Sequence, residues 1–185
     1  MMYSKEEVKE FRAICPSHML DWMDEQLSAE MQRLGVVPSG KNFTDPFYAL
    51  TLKEMIAEGN YDEADSDIRE VNFLLEKDIQ FASAFAMAEE MSLRHFMRTV
   101  STKEALDDIK ENSLRPGVLR ELLAYGKRYP DKQTKHPITA LGSRWQNTRG
   151  YWSPTLDGLN GKRRLYLDWR VSDWTSRCFF LVVPI

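Results

Sequence analysis

A chain of 185 residues, 43% hydrophobic and 11% aromatic, can bury the core of one ordinary domain or of two small ones, which excludes global disorder. No window approaches the roughly 18 consecutive apolar residues that span a bilayer, and the opening Met1-Met2-Tyr3-Ser4-Lys5-Glu6-Glu7 lacks the layout of a secretion signal. The two cysteines, Cys15 and Cys178, stand far apart without a Cys-x-x-Cys partner, which argues against a disulfide framework or a zinc site and for a reducing cytoplasm.

The formal net charge of −3 hides a division. Through Ser113 there are 12 Lys+Arg against 23 Asp+Glu, a net of −11; from Leu114 onward there are 13 against 5, a net of +8. Such asymmetry marks either an interaction face or two oppositely charged halves that attract each other within one fold.

In chain order, Ser4-x-x-Glu7 has the pattern of a capping box and opens a short helix to about Ile14, which Cys15-Pro16 interrupts. Leu20, Met23, Leu27, Met31 and Leu34 recur at spacings of 3, 4, 4 and 3 and form one apolar helical stripe that Gly35 ends. Pro38-Ser39-Gly40-Lys41 lies in a loop and lacks both the first glycine and the Ser or Thr of a phosphate-binding loop. A helix is expected from Pro46 to Glu58, closed by Gly59-Asn60.

The acidic run Asp62, Glu63, Asp65, Asp67 lacks the glycine and distal glutamate of a calcium loop, so it is read as charge at a helix start. The longest helix is expected from there, with Ile68, Val71, Leu75, Ile79, Ala82 and Ala86 as its stripe, continuing through Met91 to Val100. Ser101-x-x-Glu104 is a second capping box, for a helix to about Asn112, and Arg115-Pro116 is read as the opening of another.

After a polar, basic stretch with a turn at Tyr129-Pro130-Asp131, the pattern changes. Ile138 to Trp145 and Tyr151 to Leu156 read as strands. In Leu165 to Val171, Leu165, Leu167, Trp169 and Val171 share one face, the period of two of a half-buried strand. Between them, Asp157-Gly158 and Asn160-Gly161 are both turn dipeptides. The unbroken apolar run Cys178 to Val183 suits a strand covered on both faces. The expectation is an α+β protein: an N-terminal bundle of five or six helices (1–126), a junction (127–137), and a small, mostly antiparallel, basic and aromatic-rich sheet (138–185).

The segment Ala140-Leu141-Gly142-Ser143-x-Trp145, then Tyr151-Trp152-Ser153-Pro154, then Ser176-Arg177-Cys178-Phe179 resembles the closing part of C-type-lectin-like domains, nearest to those of the formylglycine-generating-enzyme type. The resemblance covers about the last 45 residues. It implies a binding scaffold and no activity, because the enzyme's paired cysteines and the lectins' calcium ligands have no counterpart here.

Motifs of catalysis are not found. His18, His95 and His136 are scattered and show no metal-ligand spacing, so no metal or other cofactor is expected. Ser143 and Ser153 lack the setting of a hydrolase nucleophile, and the adjacent pairs Glu89/Glu90 and Asp107/Asp108 would point apart on a helix. The pattern that stands out is cationic and aromatic together. Trp145, Arg149, Tyr151, Trp152, Arg163, Arg164, Tyr166, Arg170 and Trp174 are the candidate binding residues, with Arg144, Lys162 and Arg177 near them in sequence. Trp169 is assigned to the core by its alternation with Leu165 and Leu167; Trp145 and Trp152 fit either core or surface.

Arginine and aromatic rings dominate protein-interface hot spots, and the same pairing grips single-stranded nucleic acid. The expected function is a non-enzymatic binding protein with a protein partner, inhibitors encoded by phages or mobile elements being one such class. Asp62, Glu63, Asp65 and Asp67 are a second candidate surface, for a basic groove. The alternatives are a nucleic-acid-binding module and an enzyme whose site is assembled from scattered residues.

Overall fold

A computed structural model describes residues 46–73, 88, 90–169 and 173–185. The helices expected before Pro46 and the middle of the expected long helix lie outside the described residues.

The described residues form an eight-stranded mixed sheet with short helices, not an N-terminal helical bundle closed by a small sheet. The strands are β1 (Glu63–Ala64), β2 (Ser92–His95), β3 (Leu114–Pro116), β4 (Ile138–Thr139), β5 (Trp145–Asn147), β6 (Gly150–Leu159), β7 (Lys162–Trp169) and β8 (Phe179–Pro184). They are ordered β1-β7-β6-β4-β8-β2, with β3 also on β8 and β5 also on β6. The β1/β7 and β4/β8 pairs are parallel; the rest are antiparallel.

Three of these strands come from the part expected to be wholly helical, and each correction has a physical reason. Strands of two to four residues are too short to display a period. In β2, Leu93 lies opposite Leu181, while Arg94 points to the other face and is bound to Asp108. Those two alternations are the whole signal in a segment also compatible with a helix. Pro116 ends β3 and does not open a helix, a position at a strand end where its missing N–H costs the ladder little.

A 3-10 turn at Pro46–Ala49 precedes α1 (Leu52–Glu58), so the expected Pro46–Glu58 helix is broken at Leu50-Thr51. Thr51 caps α1: its hydroxyl accepts from Glu54 N, and Glu54 Oε2 accepts from Thr51 N at 2.7 Å. After α2 (Glu70–Phe73), the same reciprocal cap from Ser101 and Glu104 starts α3 (Thr102–Glu111), where the sequence pattern places it. Those bonds from Ser101, with Arg98 alongside, hold the Glu104 carboxyl down at about 2. Then come α4 (Leu119–Arg128) and α5 (Pro130–Lys135), the latter with proline in its first turn, where a turn alone was expected.

The sheet divides two cores. Leu181 and Val183 of β8 join Leu52, Met55, Leu122, Leu123, Ile138, Leu156 and Leu165 beneath α1 and α4. Phe180 and Val182, alternating with them, join Val100, Ala105, Ile109 and Trp174 beneath α3. The apolar run is thus covered on both faces. The oppositely charged halves also meet in one fold, through Lys162–Glu63, Arg120–Glu70 and Lys127–Glu58.

One irregularity positions the site described next. Thr139 pairs with Thr155 and Trp145 with Trp152, so six residue steps on one side face three on the other. The extra residues bulge out at 140–144. Gly142 N donates to Gly117 O at 2.9 Å, and a Cβ at Gly142 would sit 2.6 Å from that same oxygen, so only glycine fits this approach. Ser143 Oγ accepts from Leu119 N at 2.8 Å and thereby anchors the first turn of α4.

Candidate functional site: a tryptophan row

The hairpin between β6 and β7 turns on Asn160-Gly161, both with positive φ (53° and 77°), which is the two-residue turn that favours an Asn-Gly pair. With this turn fixed, Trp152 falls opposite Trp169, and the β5–β6 hairpin places Trp145 opposite Trp152 on the other side. Three tryptophans therefore stand side by side on adjacent strands β5, β6 and β7. Neighbouring ring centroids are 6.4 Å (Trp145–Trp152) and 6.2 Å (Trp152–Trp169) apart.

The row lies on the face that carries Leu156, Leu165 and Leu167, and Trp145 and Trp152 pack against the edge of that core. It continues the core by one row beyond the buried residues. Trp169 is 43% exposed. The expectation that Trp169 belongs to the core is corrected: alternation gives the right face, but it cannot tell how far along the strand that face stays buried.

Around the row lie exposed polar and cationic groups. Arg149 is exposed in the β5–β6 turn, its backbone N–H donating to Asn147 Oδ1, which also accepts from Trp152 Nε1 at 3.2 Å. On the opposite face of the same strand end, Tyr151 is 39% exposed with the Arg144 guanidinium 5.2 Å from its ring centre. Among the described residues, no carboxylate lies within ion-pair distance of Arg144 or Arg149.

The chain matches no family model, no curated protein and no solved structure.

None of these comparisons bears on the resemblance to C-type-lectin-like domains, and the site rests on its geometry.

Of the nine candidate residues, the structure brings Trp145, Arg149, Tyr151 and Trp152 together at one end of the sheet. The others are placed elsewhere. Arg163 is half-buried, donating to Gly59 O, Asn60 O, Gly126 O and Gln133 Oε1. Arg164 makes a two-bond pair with Asp157 at 2.9 and 2.6 Å. Trp174 is 3% exposed and donates from Nε1 to Thr102 Oγ1. Tyr166 is partly buried on the other face of β7, and Arg170 lies outside the described residues. The acidic candidates are likewise engaged within the fold: Asp62 accepts from Arg163 N, Glu63 from Lys162 Nζ, and Asp65 from Asp67 N.

A second group of titratable residues lies on the face of β7 away from the row. Asp168 Oδ1 accepts from Trp169 N at 2.8 Å and Oδ2 from Tyr166 Oη at 3.4 Å, and burial pushes its carboxyl pKa up. Burial also raises the Tyr166 phenol and the Cys178 thiol. A raised carboxyl favours the protonated folded state. Its contribution is therefore full below the unfolded aspartate range and is lost as pH rises through the raised folded value. Asp168→Asn is expected to raise the melting temperature at pH 7, with the gain vanishing as the pH is lowered into the ordinary aspartate range. A melting series across pH that shows Asp168→Asn less stable than wild type at pH 7 would refute this assignment.

His95 and His136 both pack on the Phe179 ring, at 4.2 and 4.5 Å between centroids, rather than converging on a shared point. Among the described residues, no group of three His, Cys, Asp or Glu could hold a metal ion. Among the same residues, no helix is long and apolar enough to cross a membrane.

Proposed function

We propose that this is a non-enzymatic binding protein that recognises a protein partner through the tryptophan row and Arg149 at its end. The observation that carries the reading is the row itself: three adjacent indoles that extend a buried core beyond its cover, with Trp169 still 43% exposed. Tryptophan and arginine are the residues most enriched where binding energy concentrates. Arg149, lacking a carboxylate partner among the described residues, suits an acidic counterpart and would quicken its encounter. The widely separated cysteines suit work in a reducing cytoplasm.

A photo-crosslinking residue placed at Thr148, exposed in the β5–β6 turn next to the Asn147 that bonds Trp152, tests this in the native host. The expected result is a discrete protein adduct that disappears when Trp152 and Trp169 are changed to alanine and does not form from position Met97, a distant exposed site. Adducts to nucleic acid alone, weakening steeply with salt, would transfer the row to the nucleic-acid reading. No adduct dependent on the tryptophans would end the proposal.

A further inference from the structure

The spacing of the row points to the form of its ligand, an inference that rests on the binding reading above. We infer that the row takes an extended acidic peptide segment, laid across β5, β6 and β7, with apolar side chains at every second position and acidic residues at the end nearest Arg149.

The ring centroids are 6.4 and 6.2 Å apart, nearly equal steps. An extended chain advances about 6.4–6.8 Å per two residues, and side chains two apart stay on one face, so successive apolar groups meet successive gaps between rings. A polyproline helix returns to the same face only after three residues, about 9.3 Å. An α-helix advances about 6 Å from i to i+4, but by i+8 it has rotated roughly 80° off the contact. Only the extended form keeps step across all three rings.

Hydrogen bonding and charge agree with this. The Trp145 Nε1–H has no acceptor among the described residues, whereas Trp152 Nε1 is already engaged by Asn147. An extended peptide offers backbone carbonyls to such a donor. Arg149, which has no carboxylate partner among the described residues, lies in the turn at the β5–β6 end of the row, so the complementary acidic charge belongs at that one end.

The test uses the full chain and fluorescence anisotropy with three labelled probes. The first is a nine-residue peptide with leucines at alternate positions and glutamates at one end. The second carries the same residues with the leucines at helical spacing, and the third replaces the glutamates by lysines. The first is expected to bind at least tenfold more tightly than either control. Trp169→Ala, at an exposed ring, and Arg149→Glu, at an exposed turn, are each expected to weaken it at least tenfold, with unchanged melting temperatures confirming that both variants fold.

Equal or better binding of the helical-spacing peptide overturns the inference. So does a first peptide that fails to saturate below millimolar concentration, or one indifferent to both variants. Tighter, Trp169-dependent binding of an oligothymidylate probe overturns it in favour of nucleic acid. If the peptides fail while the protein adduct at Thr148 persists, the extended-segment inference alone falls and the binding reading stands.

Discussion

Glu121→Ala is expected to be the most damaging single substitution among those considered. The Glu121 side chain is fully buried and accepts from both terminal nitrogens of Arg115, at 2.9 and 2.6 Å, and from Val118 N at 3.0 Å. Truncation leaves a nearly buried guanidinium and an orphaned helix N–H facing an apolar interior. Removing one member of a buried pair costs about 3–5 kcal/mol, because the charge left behind loses its counter-charge where water cannot replace it. In a domain of this size each kcal/mol moves the melting temperature by about 2–4 °C, so a fall of roughly 10 °C is expected. Replacing both partners together, Arg115→Met with Glu121→Leu, should recover much of the loss, since the desolvation cost of both charges disappears. Thermal melts would contradict this account if Glu121→Ala shifted the midpoint by less than about 2 °C, well below one buried-pair effect.

Arg163→Ala is the second large effect, and it separates folding from recognition. Arg163 sits in the basic, aromatic stretch that the sequence marks for binding. In the structure its guanidinium gathers Gly59 O, Asn60 O, Gly126 O and Gln133 Oε1 and lies 5.0 Å from the Tyr61 ring centre. It ties the end of α1, the end of α4 and α5 to β7. Hydrogen bonds from a charged donor contribute about 1.5–3 kcal/mol each when removed singly, though not additively.

Among the described residues, two buried groups in the same place have no hydrogen-bond partner, Arg163 Nε and Tyr61 Oη, which offsets part of that gain. The expected loss is therefore about 3 kcal/mol, well below the simple sum for four such bonds, because their contributions are not additive. Arg163→Lys should restore little, because a single ammonium cannot span the fork of acceptors. Below its lowered melting temperature, Arg163→Ala should still crosslink its partner from Thr148 at the wild-type level. Loss of crosslinking without loss of stability would return Arg163 to the binding surface.

How much was legible beforehand varies element by element. The Ser101–Glu104 cap could be read directly, because a capping box is a local exchange of two hydrogen bonds between residues three apart. The double coverage of β8 was readable from its unbroken apolar run. β1, β2 and β3 were not, since two to four residues cannot establish a period and their stability comes from partners far along the chain.

The tryptophan row was half visible. Trp152 and Trp169 lie symmetrically about Asn160-Gly161, so choosing that turn over Asp157-Gly158 would have paired them from sequence alone. The exposure of Trp169 was not visible, because it depends on how far the covering layer reaches. Nor does composition distinguish Arg149, without a carboxylate partner, from Arg163, which holds three elements together. That difference is made entirely by tertiary neighbours.

The position of β8 has a consequence for how the protein is made. Among the described residues, β2 and β3 have no strand partner other than β8, and Val182 pairs with Ser92 about 90 residues earlier. During translation those two segments leave the ribosome without their strand partner, and they stay so until the chain has emerged as far as β8. Closing so long a loop before its contacts form makes folding slow. The nascent chain passes through that interval with bare strand edges, which is when a holdase chaperone would find the most to hold.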